Sequence, residues 1–215
     1  MMNEVYDNNM KLIPLLKFID KYKKVLISIL ISVVAIVLYF FISNSISKQN
    51  HEEAASIYNE WIAEISNDTP DMSNLDEMLN ILLQDYKKTG YTQVALLSKA
   101  NLDAKNQRFD EALVSFNELI NITEGFRGNK IYNKMARVSS ARIKLYLGEY
   151  DAALNFIQKY SSSSSNAYIH ELTGDILLKK GQIKLAEDQY NIASEKYTDQ
   201  ASKSIISMKL ANLGE

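Results

Sequence analysis

The chain of 215 residues contains no Cys, which removes disulfide frameworks, thiolate zinc sites and cysteine nucleophiles together. Only two His are present, His51 and His170, so a His-rich metal site or a Ser-His-Asp triad has almost nothing to be built from. Proline is confined to Pro14 and Pro70, and Gly occurs seven times. That scarcity of turn formers points away from turn-dense β architectures and towards helices. Positive charge is not in excess either: 24 Lys plus Arg against 26 Asp plus Glu leave a net of −2, which is not the balance of a nucleic-acid binder. What remains, 47% apolar and 23% charged residues, is ordinary for a chain that folds. The expectation is a binding or scaffolding protein and not an enzyme, with no cofactor, metal or small-molecule substrate.

One segment departs from these averages. From Val25 to Ser47 there is no charged residue, and residues 25–42 read VLISILISVVAIVLYFFI, interrupted only by Ser28 and Ser32. A 23-residue helix is about 35 Å long at 1.5 Å per residue, enough to cross a hydrocarbon core of about 30 Å. Tyr39, Phe40 and Phe41 stand where an aromatic belt would sit, and Tyr22 with Lys23-Lys24 marks the other end. A cleavable signal peptide would have a shorter apolar run followed by a small-x-small site. The exit here, Phe41-Ile42-Ser43-Asn44-Ser45-Ile46-Ser47, has none, so the segment reads as a permanent signal anchor.

Lys11, Lys17, Lys21, Lys23 and Lys24 precede the anchor, whereas Lys48 stands alone after it until Lys87. The positive-inside rule then predicts a cytoplasmic stub (1–24), a transmembrane helix (25–47) and an exported domain (48–215), the single-pass type II orientation.

The exported part changes to amphipathic helical periodicity. Helices are expected over residues 52–65, 73–87, 92–106, 110–122, 130–147, 151–159, 167–180, 183–196 and 200–213. Breaks fall at Asn67-Asp68-Thr69-Pro70, Gly90, Gly125 to Gly128, Gly148, the serine run 161–165, Gly181 and Thr198-Asp199. The serine run reads as a helix–helix loop.

Self-comparison exposes a repeat. Gly148-Glu149-Tyr150-Asp151-Ala152-Ala153 and Gly181-Gln182-Ile183-Lys184-Leu185-Ala186 share a G-x-hydrophobic-x-x-A core 33 residues apart, with a small residue, Ala141 or Gly174, twelve positions before the final Ala. Gln107-Arg108-Phe109-Asp110-Glu111-Ala112 repeats the scheme with Ala100 upstream and Phe116 downstream, 41 residues before the second copy, which implies an insertion around residues 125–132. Small residues at these places let two helices of a hairpin approach closely. The copies look like tetratricopeptide repeats, helix pairs of about 34 residues. The fold class expected is all-α: one transmembrane helix followed by an α-solenoid with a C-terminal capping helix. That cap, residues 200–213, would turn Ile205, Met208 and Leu213 inward and Lys203, Ser207 and Asn212 outward.

A basic stub, one N-terminal span and a repeat domain of this size resemble the YfgM family, the ancillary subunit of the bacterial SecYEG translocon. Glu171-Leu172-Thr173-Gly174-Asp175-Ile176-Leu177-Leu178-Lys179-Lys180-Gly181 is similar to the family's E-L-x-G-D-x-L-x-x-x-G segment, and Ser207-Met208-Lys209-Leu210-Ala211-Asn212-Leu213 to its terminal M-K-L-x-x-L. The chain departs from it in being rich in Asn, Ile, Lys and Ser instead of Ala. The resemblance implies an inner-membrane protein that partners the SecYEG translocon and periplasmic chaperones, with no catalytic residues. It also implies, as for tetratricopeptide repeats generally, a concave groove lined by inner helices. Spacing from Ala141 and Gly174 gives its candidates as Met135, Val138, Arg142, Leu145 and Tyr146, then Tyr168, Glu171, Asp175, Leu178 and Lys179.

Between Gln49 and Tyr86 there is no Lys or Arg but nine acidic residues. Glu52, Glu53, Glu60 and Glu64 are the candidate acidic contact surface, repelled by anionic headgroups and attractive to basic partner segments. His170 reads as a surface histidine. Adjacent acidic pairs such as Glu187-Asp188 point about 100° apart on a helix and read as solvated faces. Two other classes fit parts of the pattern: a repeat-type import receptor on a mitochondrial outer membrane, and an enzyme or a regulator or scaffold of another envelope complex. The second lacks any cluster of titratable groups.

Overall fold

The computed structural model describes residues 3–126, 128–161 and 166–214. The described residues form helices α1 (Asn3–Ile65), α2 (Met72–Asp85), α3 (Gly90–Lys105), α4 (Phe109–Thr123), α5 (Lys130–Tyr146), α6 (Tyr150–Ser161), α7 (Ala167–Lys179), α8 (Ile183–Lys196) and α9 (Gln200–Ala211), with a final 3-10 turn, Asn212–Gly214. Most boundaries lie within two residues of the periodicity. The difference is at the start, where α1 runs through the junction between the apolar segment and residues 52–65. No Gly or Pro occurs from Leu15 to Thr69, so nothing in the backbone chemistry stops it. The serines at 162–165 of the expected loop lie outside the described residues.

The chain divides into two units, Met1–Glu53 and Ala54–Glu215. In the first, the apolar side chains from Val25 to Ile42 are exposed along α1. By length and composition this helix is able to cross a membrane. Ser32 donates its hydroxyl to the Ser28 carbonyl at 2.9 Å, so a polar interruption of the apolar run is satisfied within the helix itself.

In the second unit, side-chain oxygens start several helices: Asp71, Thr89, Asn129, Asn166 and Asp199 each accept a backbone N–H of the first turn. The turns between α3 and α4, α5 and α6, and α7 and α8 are built alike. Gln107 (φ 60), Gly148 (φ 77) and Gly181 (φ 75) occupy the left-handed region. The next residue's N–H reaches back to a carbonyl five residues earlier: Arg108 to Asp103, Glu149 to Lys144, Gln182 to Leu177. This is the Schellman closure of a helix. Five residues on come Ala112, Ala153 and Ala186, all fully buried, and four further on the buried Phe116, Ile157 and Tyr190.

Three apolar clusters follow one another along the chain. The first joins α1 to α5 through Ala54, Trp61, Leu82, Leu96, Phe116 and Ile143. The second joins α5, α6 and α7 through Ala141, Ala153, Ile157 and Ile176. The third joins α7, α8 and α9 through Leu177, Ala186, Tyr190 and Ile206. Helices α5 and α7 each serve two clusters, and α7 is consequently buried on most sides. His170 lies there at 4% exposure, its Nδ1 2.9 Å from Gln189 Oε1. It is a packed histidine between α7 and α8, not the surface residue expected.

The capping helix also differs in register. Ile206 is fully buried, with Leu210 and Leu213 packed against the same cluster, whereas Ile205 and Met208 are 50% and 66% exposed. Residues 206, 210 and 213 lie on one stripe of a 3.6-residue helix. Lys209, half-buried beside them, fixes the register by reaching α7.

Candidate partner groove

The inner helices α3, α5 and α7 present equivalent positions side by side. Asn101, Arg142 and Asp175 correspond by the 41- and 33-residue offsets, as do Ala104, Leu145 and Leu178, and Lys105, Tyr146 and Lys179. Two adjoining clefts are built from these rows. One, of about 340 Å3, is lined by Asn101, Ala104, Lys105, Phe109, Arg142 and Tyr146, among others. The second, of about 480 Å3, is lined by Leu145, Tyr146, Tyr150, Asp175, Leu178 and Lys179. Tyr146 is the wall between them. It is 73% exposed, and its ring stands 5.2 Å from that of Phe109 at a 50° tilt, an arrangement in which each ring supports the other.

Along α5 the exposed side continues from Tyr146 through Arg142 to Met135 and Ile131, at spacings of four and seven residues that keep one face. Val138, Leu145 and Tyr168 are half-buried against the second cluster, and Leu178 against the third. Arg142 and Lys179 are exposed.

Glu171 and Asp175 are differently occupied. Lys209 Nζ donates to Glu171 Oε1 at 2.8 Å and to Asp175 Oδ1 and Oδ2 at 2.7 and 2.8 Å. The Tyr190 hydroxyl donates to Asp175 at 2.8 Å, and the Tyr197 hydroxyl to Glu171. Burial lowers the Lys209 pKa, but the hydrogen bonds to Asp175 and Glu171 outweigh it and leave it above the ordinary lysine value. Burial, then the bond to Asp175, raises Tyr190; burial, then the bond to Glu171, raises Tyr197. These two carboxylates therefore bind the capping helix to α7.

The structure also uses some of the acidic stretch internally. Glu64 accepts the Asp71 backbone N–H at 2.7 Å and the Asn67 amide at 3.2 Å, which closes the loop before α2. Asp76 takes Lys99 at 2.7 Å, and Lys99 also meets the fully buried Asp103, itself joined to Arg108. Glu53 accepts from Gln49 at 2.9 Å, Glu52 faces Lys48 at 3.8 Å, and Glu60 is exposed. Among the described residues no group of His, Cys, Asp and Glu is placed to hold a metal ion.

Sequence reasoning passed over Asn101, Lys105, Phe109 and Tyr150. Their signal was the repeat offset itself, since 41 residues before Arg142 and Tyr146 stand Asn101 and Lys105, and before Tyr150 stands Phe109.

The family model of the tetratricopeptide repeat-like domain matches residues 17–215. The chain belongs to this family. Among curated relatives of this tetratricopeptide repeat-like chain is the ancillary SecYEG translocon subunit of Aggregatibacter actinomycetemcomitans, 26% identical over 137 residues, which are 64% of this chain and 65% of the relative. The protein of the same name in Haemophilus influenzae is 27% identical over 131 residues, 61% of this chain and 62% of the relative. The chain thus spans just under two thirds of the length of these two relatives, and the likeness agrees with the resemblance carried by Glu171 to Gly181. Among solved structures, a MamA RS-1 ArsTM double mutant superposes with a TM-score of 0.50 at 13% identity, covering 75% of this chain and 94% of that one; it bears on the fold alone.

Proposed function

We propose that this chain is a membrane-anchored, non-catalytic interaction subunit working beside the SecYEG translocon. Its repeat domain lies in the periplasm, and its groove takes segments of periplasmic chaperones or emerging chains. The observation that carries this reading is the likeness to two proteins named ancillary SecYEG translocon subunit, together with an N-terminal helix long and apolar enough to cross a membrane. Five Lys before the apolar segment against one in the window after it supports the outward orientation of the domain. The groove residues are Met135, Val138, Arg142, Leu145, Tyr146, Tyr168, Leu178 and Lys179, with Glu171 and Asp175 holding the shape of its end. Glu52, Glu53 and Glu60 on α1 offer a second, electrostatic contact to basic partner segments; Glu64 serves its loop first.

Crosslinking in native membranes followed by purification of the full chain tests the proposal. Translocon subunits and periplasmic chaperones are expected in the crosslinked fraction, and their absence overturns it. A reporter that needs export, fused after Glu215, should be active; activity only of a cytoplasmic reporter defeats the orientation. Replacing Glu52, Glu53, Glu60 and Glu64 with Gln should reduce recovery of partners and flatten its salt dependence. Wild-type recovery at every ionic strength would reduce the acidic stretch to solvated surface.

A further inference from the structure

The charge of the groove runs against that of the domain around it. Residues 48–215 carry 19 positive and 23 negative side chains, a net of −4. Yet Lys105, Arg142 and Lys179, all exposed and all lining the two clefts, make no ion pair among the described residues. Lys99, Arg108, Lys144, Lys180 and Lys209, on the same helices and turns or on the cap, are each closed by a carboxylate. The one carboxylate in the second cleft, Asp175, is already taken by Lys209 and the Tyr190 hydroxyl. Lys179 beside it therefore keeps an uncompensated charge. Nearby Glu149 and Asp151 are likewise paired, with Lys144 and Lys180.

Apolar surface runs between these cations. Tyr146 stands between Lys105 and Lys179 in the same row, and Met135 and Ile131 extend the exposed face of α5. From Ile131 to Tyr146 is fifteen residues of helix, about 22 Å. A segment of about four helical turns matches that length.

We propose that this groove is a receptor for an acidic amphipathic segment: carboxylates on the partner meet Lys105, Arg142 and Lys179, and an aliphatic or aromatic stripe covers Tyr146 and Met135. The inference rests on the groove reading above and adds the sign of charge that the groove selects. Charge-assisted hydrogen bonds to the guanidinium and ammonium groups set which segment is accepted. A basic segment leaves like charges facing one another and is rejected.

The test uses the full chain in detergent and three fluorescein-labelled 16-residue peptides with identical Leu and Phe positions. Their remaining faces carry Glu, Gln or Lys. Fluorescence anisotropy should rank the Glu peptide above the Gln peptide and the Lys peptide last, with the Glu affinity falling as salt rises. Lys105→Gln, Arg142→Gln and Lys179→Gln combined should weaken the Glu peptide about tenfold at low salt, each exposed pair contributing a few-fold, and leave the Gln peptide unchanged. All three sites are exposed, so the melting temperature should stay that of wild type. Tyr146→Ala with Met135→Ala should weaken the Glu and Gln peptides alike.

Equal binding of the Glu and Gln peptides, with the triple variant unchanged, overturns the charge inference and leaves the groove reading standing if Tyr146→Ala still weakens both. Binding untouched by Tyr146→Ala and Met135→Ala overturns the groove reading itself. Failure of all three peptides to bind overturns the inference. So does salt-dependent self-association of the wild-type chain that the triple variant loses, which would assign the face to a second copy.

Discussion

Gly174 on α7 and Tyr190 on α8 are in contact across their hairpin: a Cβ built on Gly174 would lie 2.5 Å from Tyr190 Cε1 and 2.7 Å from Cδ1. The equivalent pairs are Ala100 with Phe116 and Ala141 with Ile157, all buried. The residue on the inner helix is smallest at Gly174, where a Cβ would run into the Tyr190 ring. Gly174→Ala should therefore cost about 1–3 kcal/mol, since the ring is buried and has to shift bodily. A urea midpoint measures it. Adding Tyr190→Leu should recover part of the loss if the two side chains share one space.

Gln107 holds φ 60 where the other two hairpins have Gly148 and Gly181. A side chain in this region costs about 1–2 kcal/mol, offset in part by the larger unfolded-state entropy of Gly. Gln107→Gly should raise stability by about 0.5–1 kcal/mol, whereas Gly148→Ala and Gly181→Ala should lower it. Thermal melts of the three variants decide the sign in each case.

Ala141 and Ala153 lie fully buried in one cluster with Ile157. Ala153→Leu should overpack the α5–α6 hairpin and cost roughly 1–3 kcal/mol. An unchanged melting temperature would contradict the close approach of these two helices.

Lys209, Tyr190 and Tyr197 all have pKa values raised by folding. In the unfolded chain they titrate at about 10–10.4, so above that pH the folded chain binds more protons than the unfolded one. Their contribution is full below about pH 10 and is lost as pH rises through the folded values. The C-terminal hairpin should loosen from the alkaline side, read as a falling urea midpoint above about pH 10. Lys209→Met removes the lysine from this linkage and should flatten the fall.

Much of the architecture could be read from residue spacing because the same small-residue contacts recur: Ala112, Ala153 and Ala186 mark each second helix, and Gly148 and Gly181 mark the turns that precede two of them. Gln107 carries no such mark, since only its backbone reveals that it does the work of Gly. The register of α9 was ambiguous because Ile205 and Ile206 are equally apolar, and what decides between them is the reach of Lys209 to α7, 34 and 38 residues away. His170 was misplaced because local sequence does not reveal that an inner helix is covered from two sides. The groove candidates on α5 and α7 came from the repeat spacing. Asn101 and Lys105 on α3 are ordinary polar residues that only the 41-residue offset aligns with Arg142 and Tyr146, and nothing in their own chemistry marks them as groove. Glu171 and Asp175 look like groove residues in sequence, and only the tertiary partners Lys209, Tyr190 and Tyr197 reveal their other engagement.

The three successive apolar clusters have a consequence for how the domain comes apart. Each meets the next along the chain, through α5, α6 and α7, so opening at one end does not require breaking the other. The first cluster ties five helices together around Trp61, Leu82 and Phe116, whereas the last holds α8 and α9 through a smaller set around Tyr190 and Ile206. Amide protons of α8 and α9 should exchange with solvent sooner than those of α3 and α4, in separate cooperative steps. The end that opens first is the end where Lys209 clasps Glu171 and Asp175, so release of α8 and α9 together would free two carboxylates at the edge of the groove, from Lys209 and from the Tyr190 and Tyr197 hydroxyls, while the rows on α3 and α5 stay assembled.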